Sequence, residues 1–388
     1  MKRREDRIES SGAGVRMMAS FLLILVVLFI AYANGANDNF KGVATLFGSG
    51  TTGYSGALAW ATLTTLAGSV ASLAVGAALA RSFSGKGLVP DSLTLDLHFL
   101  IAVGGGAALT VLTATLIGMP VSTTHALVGG LLGAGLTAVG PRVGFGALGK
   151  SFILPLLLSP VISMVLTLAF YLPCRAARKV LGIEKETCLC VGDQTEVVDL
   201  LPNGTGVLRS TGVTLQVGEL APCRTRYSGD LFGVSAQQAL ESLHFLSAGA
   251  VGFARGLNDT PKIFALLMAV NLLHPTGWVL AVAVTMAAGG ILGARRVAET
   301  MSHRITSMNE GQGFSANMAT ALLVVLASTL GLPVSTTHLS VGALFGIGLA
   351  NGRAGAKPIL SILTAWATTL PVACALSALL YLTVARLG

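Results

Sequence analysis

Apolar stretches recur along this chain at lengths suited to crossing a bilayer, and short polar or glycine-marked strings separate them. Met17–Ala33, Ser55–Ala80, His98–Ile117 and Lys150–Leu172 predict membrane helices in the first part of the chain. Glu241–Arg255 is a shorter run, and Thr276–Gly293, Phe314–Leu330 and Lys357–Ala385 predict helices in the second. Polar connections fall at Arg81–Asp96 and around Arg295, Arg296 and Arg304. Between the two parts, hydropathy collapses over Cys174–Asp230. There, Glu196–Leu201, Gly206–Leu208 and Val213–Val217 read as short strands separated by turn signals such as Pro202-Asn203-Gly204. The predicted organisation is therefore a polar tail (1–16), a first membrane repeat (17–173), a β-rich soluble insertion (174–235) and a second membrane repeat (236–388).

The word repeat rests on identity. Pro120-Val121-Ser122-Thr123-Thr124-His125 returns as Pro333-Val334-Ser335-Thr336-Thr337-His338, and Gly118–Gly133 matches Gly331–Gly346 at 11 of 16 positions. Gly35-Ala36-Asn37-Asp38 is likewise matched by Gly256-Leu257-Asn258-Asp259. Each Asp is followed three residues later by a lysine, Lys41 or Lys262. These strings predict breaks in the helices: after Ala33, with a half-helix over Phe40–Gly53, and at Asp259, with a half-length helix to Asn271. Pro120 predicts a further break near Met119 and a new helix from Ser122 to Val139. Broken helices at corresponding places in two halves point to a transporter site.

Composition narrows the class. Apolar residues make up 53% of the chain and charged residues 11%, where about 25% is usual for a soluble domain. The fold class is an all-α polytopic membrane protein of about ten to twelve helical segments. The net charge of +8 then belongs to membrane edges rather than to nucleic-acid binding. Lys2, Arg3, Arg4, Arg7 and Arg16 precede the first apolar run as in a secretory signal. That run flows straight into the Asn37-Asp38 string, however, so it is a retained helix. Arg175, Arg178 and Lys179 argue for a cytoplasmic insertion, as the basic amino terminus does for its own side. An inverted duplication would place the two on opposite faces; the arguments conflict, and the charges favour a cytoplasmic insertion. The five cysteines form no disulfide framework, and Cys188, Cys190 and Cys223 lack a fourth ligand at zinc spacing.

Three consecutive hydroxyl residues at a helix start, beside backbone N–H groups without helical partners, form a ready anion site. Ordinary capping by Ser122 would explain one copy; the duplicate shifts the weight toward a site. Asp38 and Asp259 inside apolar runs are functional candidates by default. Together the strings suit a tetrahedral oxyanion with a small cation nearby. An aspartate can accept a hydrogen bond from hydrogen phosphate, whereas sulfate has no proton to offer. His125 and His338 read as structural hydrogen-bonding residues, with proton carriage as the alternative.

At these residues the chain resembles the inorganic phosphate transporter (PiT) family, through both membrane halves. The resemblance implies inverted repeats, uptake of inorganic phosphate across the cell membrane driven by a sodium or proton gradient, and a homodimer. It implies substrate binding by Asn37, Asn258, Ser122, Thr123, Thr124, Ser335, Thr336 and Thr337. Asp38 and Asp259 would take part in ion coupling and hold sodium if sodium is the coupling ion; no other cofactor is implied. The family signature usually continues Val-Ala-Asn-Ala, whereas Asn39-Phe40-Lys41 and Thr260-Pro261-Lys262 follow here. Lys41 and Lys262 therefore enter the ion-coupling set: their ammonium groups replace a bound sodium or touch the anion, with snorkelling to the membrane interface as the plain alternative, and the first of these would leave coupling to protons. A sulfate permease is the runner-up. An ion channel would not need paired Asp residues beside anion-binding helix starts. An enzyme built on Ser122 and His125 would lack a third, orienting carboxylate.

Overall fold

The computed structural model describes residues 2–200, 206–219, 232–270, 272–352 and 356–387. Among them, ten long helices carry the fold. Five precede the insertion: α1 (Lys2–Asp38), α2 (Tyr54–Val75), α3 (Leu97–Leu116), α4 (Thr123–Val139) and α5 (Leu154–Val180). Five follow it: α6 (Ala236–Phe264), α7 (Pro275–Gly293), α8 (Glu310–Thr329), α9 (Thr336–Asn351) and α10 (Ala356–Leu387). Eight helical segments among the described residues are long and apolar enough to cross a bilayer. This is an all-α, multi-span membrane protein. Leu63, Val165 and Leu363 point outward from it, as suits a lipid-facing surface.

Each helix packs where its sequence twin packs. α1 lies against α3 as α6 lies against α8, and α1 against α7 as α6 against α2. α4 lies against α10 as α9 lies against α5. Glycine makes the closest crossings possible, because small residues let helix backbones approach. A Cβ on Gly35 would sit 1.9 Å from the Met286 carbonyl oxygen, and one on Gly256 would sit 2.1 Å from that of Thr65. The same crossings recur at Gly289 against Tyr32 (2.0 Å) and Gly68 against Phe253 (1.9 Å). A shift of 221 residues converts Gly35 and Thr65 into Gly256 and Met286, and Tyr32 and Gly68 into Phe253 and Gly289. The halves are thus interleaved, each leading helix packing on the other half.

Two expected breaks fall elsewhere. The helix does not stop after Ala33: α1 continues through Asn34–Asp38, and only then tightens into a 3-10 turn, Asn39–Gly42, and a five-residue helix, Ala44–Gly48. Nor does the chain break at Asp259, since α6 runs on past Pro261 to Phe264 and a 3-10 turn, Ala265–Leu267. The physical reason is that Asn34, Asn37 and Asn258 bond to other helices, and Asp38 and Asp259 to neighbouring side chains, instead of competing for their own backbone. The expected end at Asn271 lies outside the described residues.

The break before Pro120 is present, and so is its twin. Gly118 (φ +74°) and Gly331 (φ +69°) end α3 and α8 in left-handed caps. Met119 N–H reaches Ala114 O at 2.9 Å, and Leu332 N–H reaches Ala327 O at 2.8 Å. In the insertion, β1 (Thr187–Leu200) pairs antiparallel with β2 (Gly206–Glu219) and β3 (Phe232–Ser235), in the order β2-β1-β3. Its strands are longer than expected from the apolar runs. The Pro202-Asn203-Gly204 turn and Cys223 lie outside the described residues.

Candidate functional site

The four duplicated strings meet. α4 and α9 start where sequence placed them, and Ser122 and Ser335 cap them by accepting from His125 N–H (3.1 Å) and His338 N–H (3.2 Å). Capping thus uses both serine hydroxyls. The second threonine of each string reaches across to the opposite half. Thr124 donates to Val334 O at 3.1 Å, and Thr337 donates to Val121 O at 2.7 Å. Thr123 accepts from Asn34 Nδ2 at 2.9 Å, and Thr336 is buried at the corresponding place.

Each lysine completes one of these crossings. Lys41 Nζ contacts Asp38 Oδ1 (2.5 Å), Asn37 Oδ1 (3.0 Å), Val121 O (2.7 Å) and Thr337 Oγ1 (2.5 Å). Lys262 Nζ contacts Val334 O (2.7 Å) and Thr124 Oγ1 (2.8 Å), with Asp259 Oδ1 at 3.5 Å. Each ammonium is therefore held by the aspartate one turn before it, by its own half's valine carbonyl, and by the other half's threonine. Both lysines are buried, at 3% and 1% exposure. The i, i+3 spacing of Asp and Lys requires a helical backbone, which fits helices that run through these strings.

Asn37 spends its side chain on positioning. Nδ2 donates to Thr115 Oγ1 (2.9 Å) and Met119 O (3.0 Å), while Oδ1 accepts from Lys41 and Val121 N–H (3.1 Å). That exhausts a carboxamide. Asn258 behaves alike: it donates to Asp259 Oδ1 (3.0 Å) and accepts from Ser328 (3.2 Å). In this state both amides tie the Asn-Asp strings to the helix ends.

Sequence reasoning placed Arg255 at the end of an apolar run and missed its role. It is 1% exposed, and its guanidinium donates to Asn34 Oδ1 (2.7 Å), Asn34 O (3.3 Å), Asn39 Oδ1 (3.2 Å) and Thr65 Oγ1 (3.2 Å). Its Nε makes no hydrogen bond but lies 3.7 Å from Asp259 Oδ2. The available signal was the i, i+4 spacing to Asp259. Its counterpart in the first half is Asn34, whose Nδ2 lies 3.3 Å from both Asp38 Oδ2 and Asp259 Oδ2. One amide nitrogen thus bridges the two carboxylates. Among the described residues the buried cluster counts three cations and two carboxylates, a formal charge of +1. Beyond it, the His125 and His338 rings lie 4.5 Å apart between centroids, and His338 Nδ1 faces Leu156 O at 3.1 Å.

A multi-span bundle with two helix starts and paired buried charges shared between its halves fits a membrane permease. Residues 34–377 match the model of the phosphate transporter family, and the chain belongs to that family. It is a multi-pass protein of the cell membrane that transports phosphate. Over 404 residues it is 28% identical to a protein of Pyrococcus abyssi named as a phosphate permease, covering 93% of this chain and 96% of that one. It is 28% identical over 388 residues to a Mycobacterium leprae protein named as a low-affinity inorganic phosphate transporter, covering 95% and 79%. A solved structure described as the sodium-dependent phosphate transporter superposes with a TM-score of 0.72 at 21% identity, over 94% of this chain and 98% of that one. At that identity the likeness concerns the fold.

Proposed function

We propose that the chain imports inorganic phosphate by alternating access, with its halves related as inverted repeats about the Lys41 and Lys262 cages. The observation that carries this reading is the exchange between halves: Thr124 with Val334 and Lys262, Thr337 with Val121 and Lys41. Such reciprocal bonds fit two rigid bodies that rock about one locus. An anion entering between the Ser-Thr-Thr turns would take the hydroxyls of Thr123, Thr124, Thr336 and Thr337; those of Thr123, Thr124 and Thr337 now bond within the protein. The helix starts favour negative charge there, and the cluster's formal +1 adds to it.

Ser122, Ser335, Asn37 and Asn258 hold these turns in place, and Asp38 and Asp259 belong to the coupling machinery of a sodium- or proton-driven symporter. A carboxylate beside the anion favours hydrogen phosphate over sulfate, because only the former has a proton to donate. The working unit in this reading is a homodimer, checked by the mass of the detergent-solubilised protein. The deciding experiment is uptake of labelled phosphate by purified protein in liposomes, with sodium and proton gradients varied separately and sulfate as competitor. Accumulation that excess sulfate leaves unchanged is expected. Failure to accumulate phosphate under either gradient, or uptake of sulfate in its place, would reject the reading.

A further inference from the structure

Sodium would be expected to meet carboxylate, carbonyl and hydroxyl oxygens, the donors that hard cations prefer. The structure contains two such oxygen sets, and a cation already stands in each. Around Lys41 Nζ these are Asp38 Oδ1, Asn37 Oδ1, Val121 O and Thr337 Oγ1, all within 3.0 Å. Around Lys262 Nζ they are Asp259 Oδ1, Val334 O and Thr124 Oγ1, within 3.5 Å. We infer that Lys41 and Lys262 are tethered substitutes for a coupling cation, so that sodium neither binds at Asp38 and Asp259 nor drives transport by this chain.

Three observations support it. An ammonium carries three N–H donors; Lys41 already faces four acceptors within the protein and Lys262 three, the aspartate at 3.5 Å included, so the donors of both are directed at the protein rather than at an anion. A sodium ion could enter only by displacing a cation fixed to the same helix turn, and such a tether gives its ammonium a high effective concentration. Finally, both carboxylates are matched: with Arg255 included the buried cluster is at +1, where a cation-binding cage would be negative. The pattern holds in both halves, so it is not an accident of one side chain.

The transport clause of this inference rests on the phosphate reading, whereas the binding clause does not, and the test separates them. Thermal melting of the purified wild-type protein is compared in sodium, potassium and choline chloride at equal ionic strength. In parallel, phosphate uptake into liposomes is measured with and without sodium at fixed pH. No sodium-specific rise in melting is expected, and uptake should change by less than about twofold when sodium is withdrawn. Lys41→Ala/Lys262→Ala, which frees both oxygen sets, should acquire a saturable melting response to sodium.

A saturable sodium response in the wild type that Asp38→Asn/Asp259→Asn abolishes would overturn the inference. So would a loss of uptake of about tenfold or more without sodium, or a folded double-alanine variant indifferent to sodium. If the wild type moves no phosphate under any gradient, the phosphate reading fails and the wild-type melting comparison still decides the binding clause. That comparison also decides it if the alanine variant does not fold.

Discussion

Gly35→Ala isolates the interleaved packing from the chemistry. Its new Cβ would lie 1.9 Å from Met286 O, 2.7 Å from Met286 C and 2.9 Å from Gly290 N, all backbone atoms, where ordinary contact begins at 3.4 Å. No rotamer change can relieve such a clash, so α1 and α7 must separate by about 1.5 Å along the contact. Overpacking of this kind costs about 1–3 kcal/mol. Gly35 is also one turn from Asp38, and the shift would pull Asp38 and Lys41 away from Thr337, now 2.5 Å from Nζ. Displacements near 1 Å at geometry-dependent sites cost about a hundredfold in enzymes, so a loss of uptake beyond about tenfold is expected here. Gly53→Ala is the control, since a Cβ there meets nothing within 4 Å and its φ is negative. The assay pairs melting of the detergent-purified protein with phosphate uptake in liposomes. Wild-type melting and uptake in Gly35→Ala would refute the argument from close crossing.

Arg255→Met should lower stability by about 3–5 kcal/mol, because it leaves Asp259 and Asn34 buried with fewer partners. Arg255→Lys should restore only part of this, since one ammonium cannot fork to Asn34, Asn39 and Thr65 together; denaturant melting of both variants checks it. Thr124→Val and Thr337→Val should each cost about 1–3 kcal/mol by leaving a carbonyl and a lysine one partner short. The two should behave alike, and strongly unequal melting would argue against equivalence of the halves. Ser122→Ala and Ser335→Ala should each cost about 1 kcal/mol through loss of the cap, measured the same way.

The sequence was most legible where it repeats. Identity between the two Pro-Val-Ser-Thr-Thr-His strings located both helix starts, because proline and a capping hydroxyl act locally and need no distant partner. The Asp–Lys spacing likewise announced a pair one helical turn apart. Local preference alone makes Asn34-Gly35-Ala36-Asn37-Asp38 look like a break, and bonds to distant residues override it. Asn34 is occupied by Thr123 and Arg255, Asn37 by Thr115, and Gly35 serves a crossing rather than a kink. The contacts of Lys41 with Thr337 and of Lys262 with Thr124 could not be read at all. They arise from interleaving, and nothing in the spacing along the chain encodes which half supplies the partner. Arg255 was hidden by its position at the end of a hydrophobic run, where a charge ordinarily marks the water boundary.

The duplication is not exact inside the buried cluster. Where the second half has Arg255, the first has Asn34, and that inequality puts a permanent charge on one side of the centre. If rocking exposes the two sides in turn, a departing anion meets a different electric field at each mouth. Loading and unloading rates then need not match at the two mouths, while the net direction of movement is still set by the gradients.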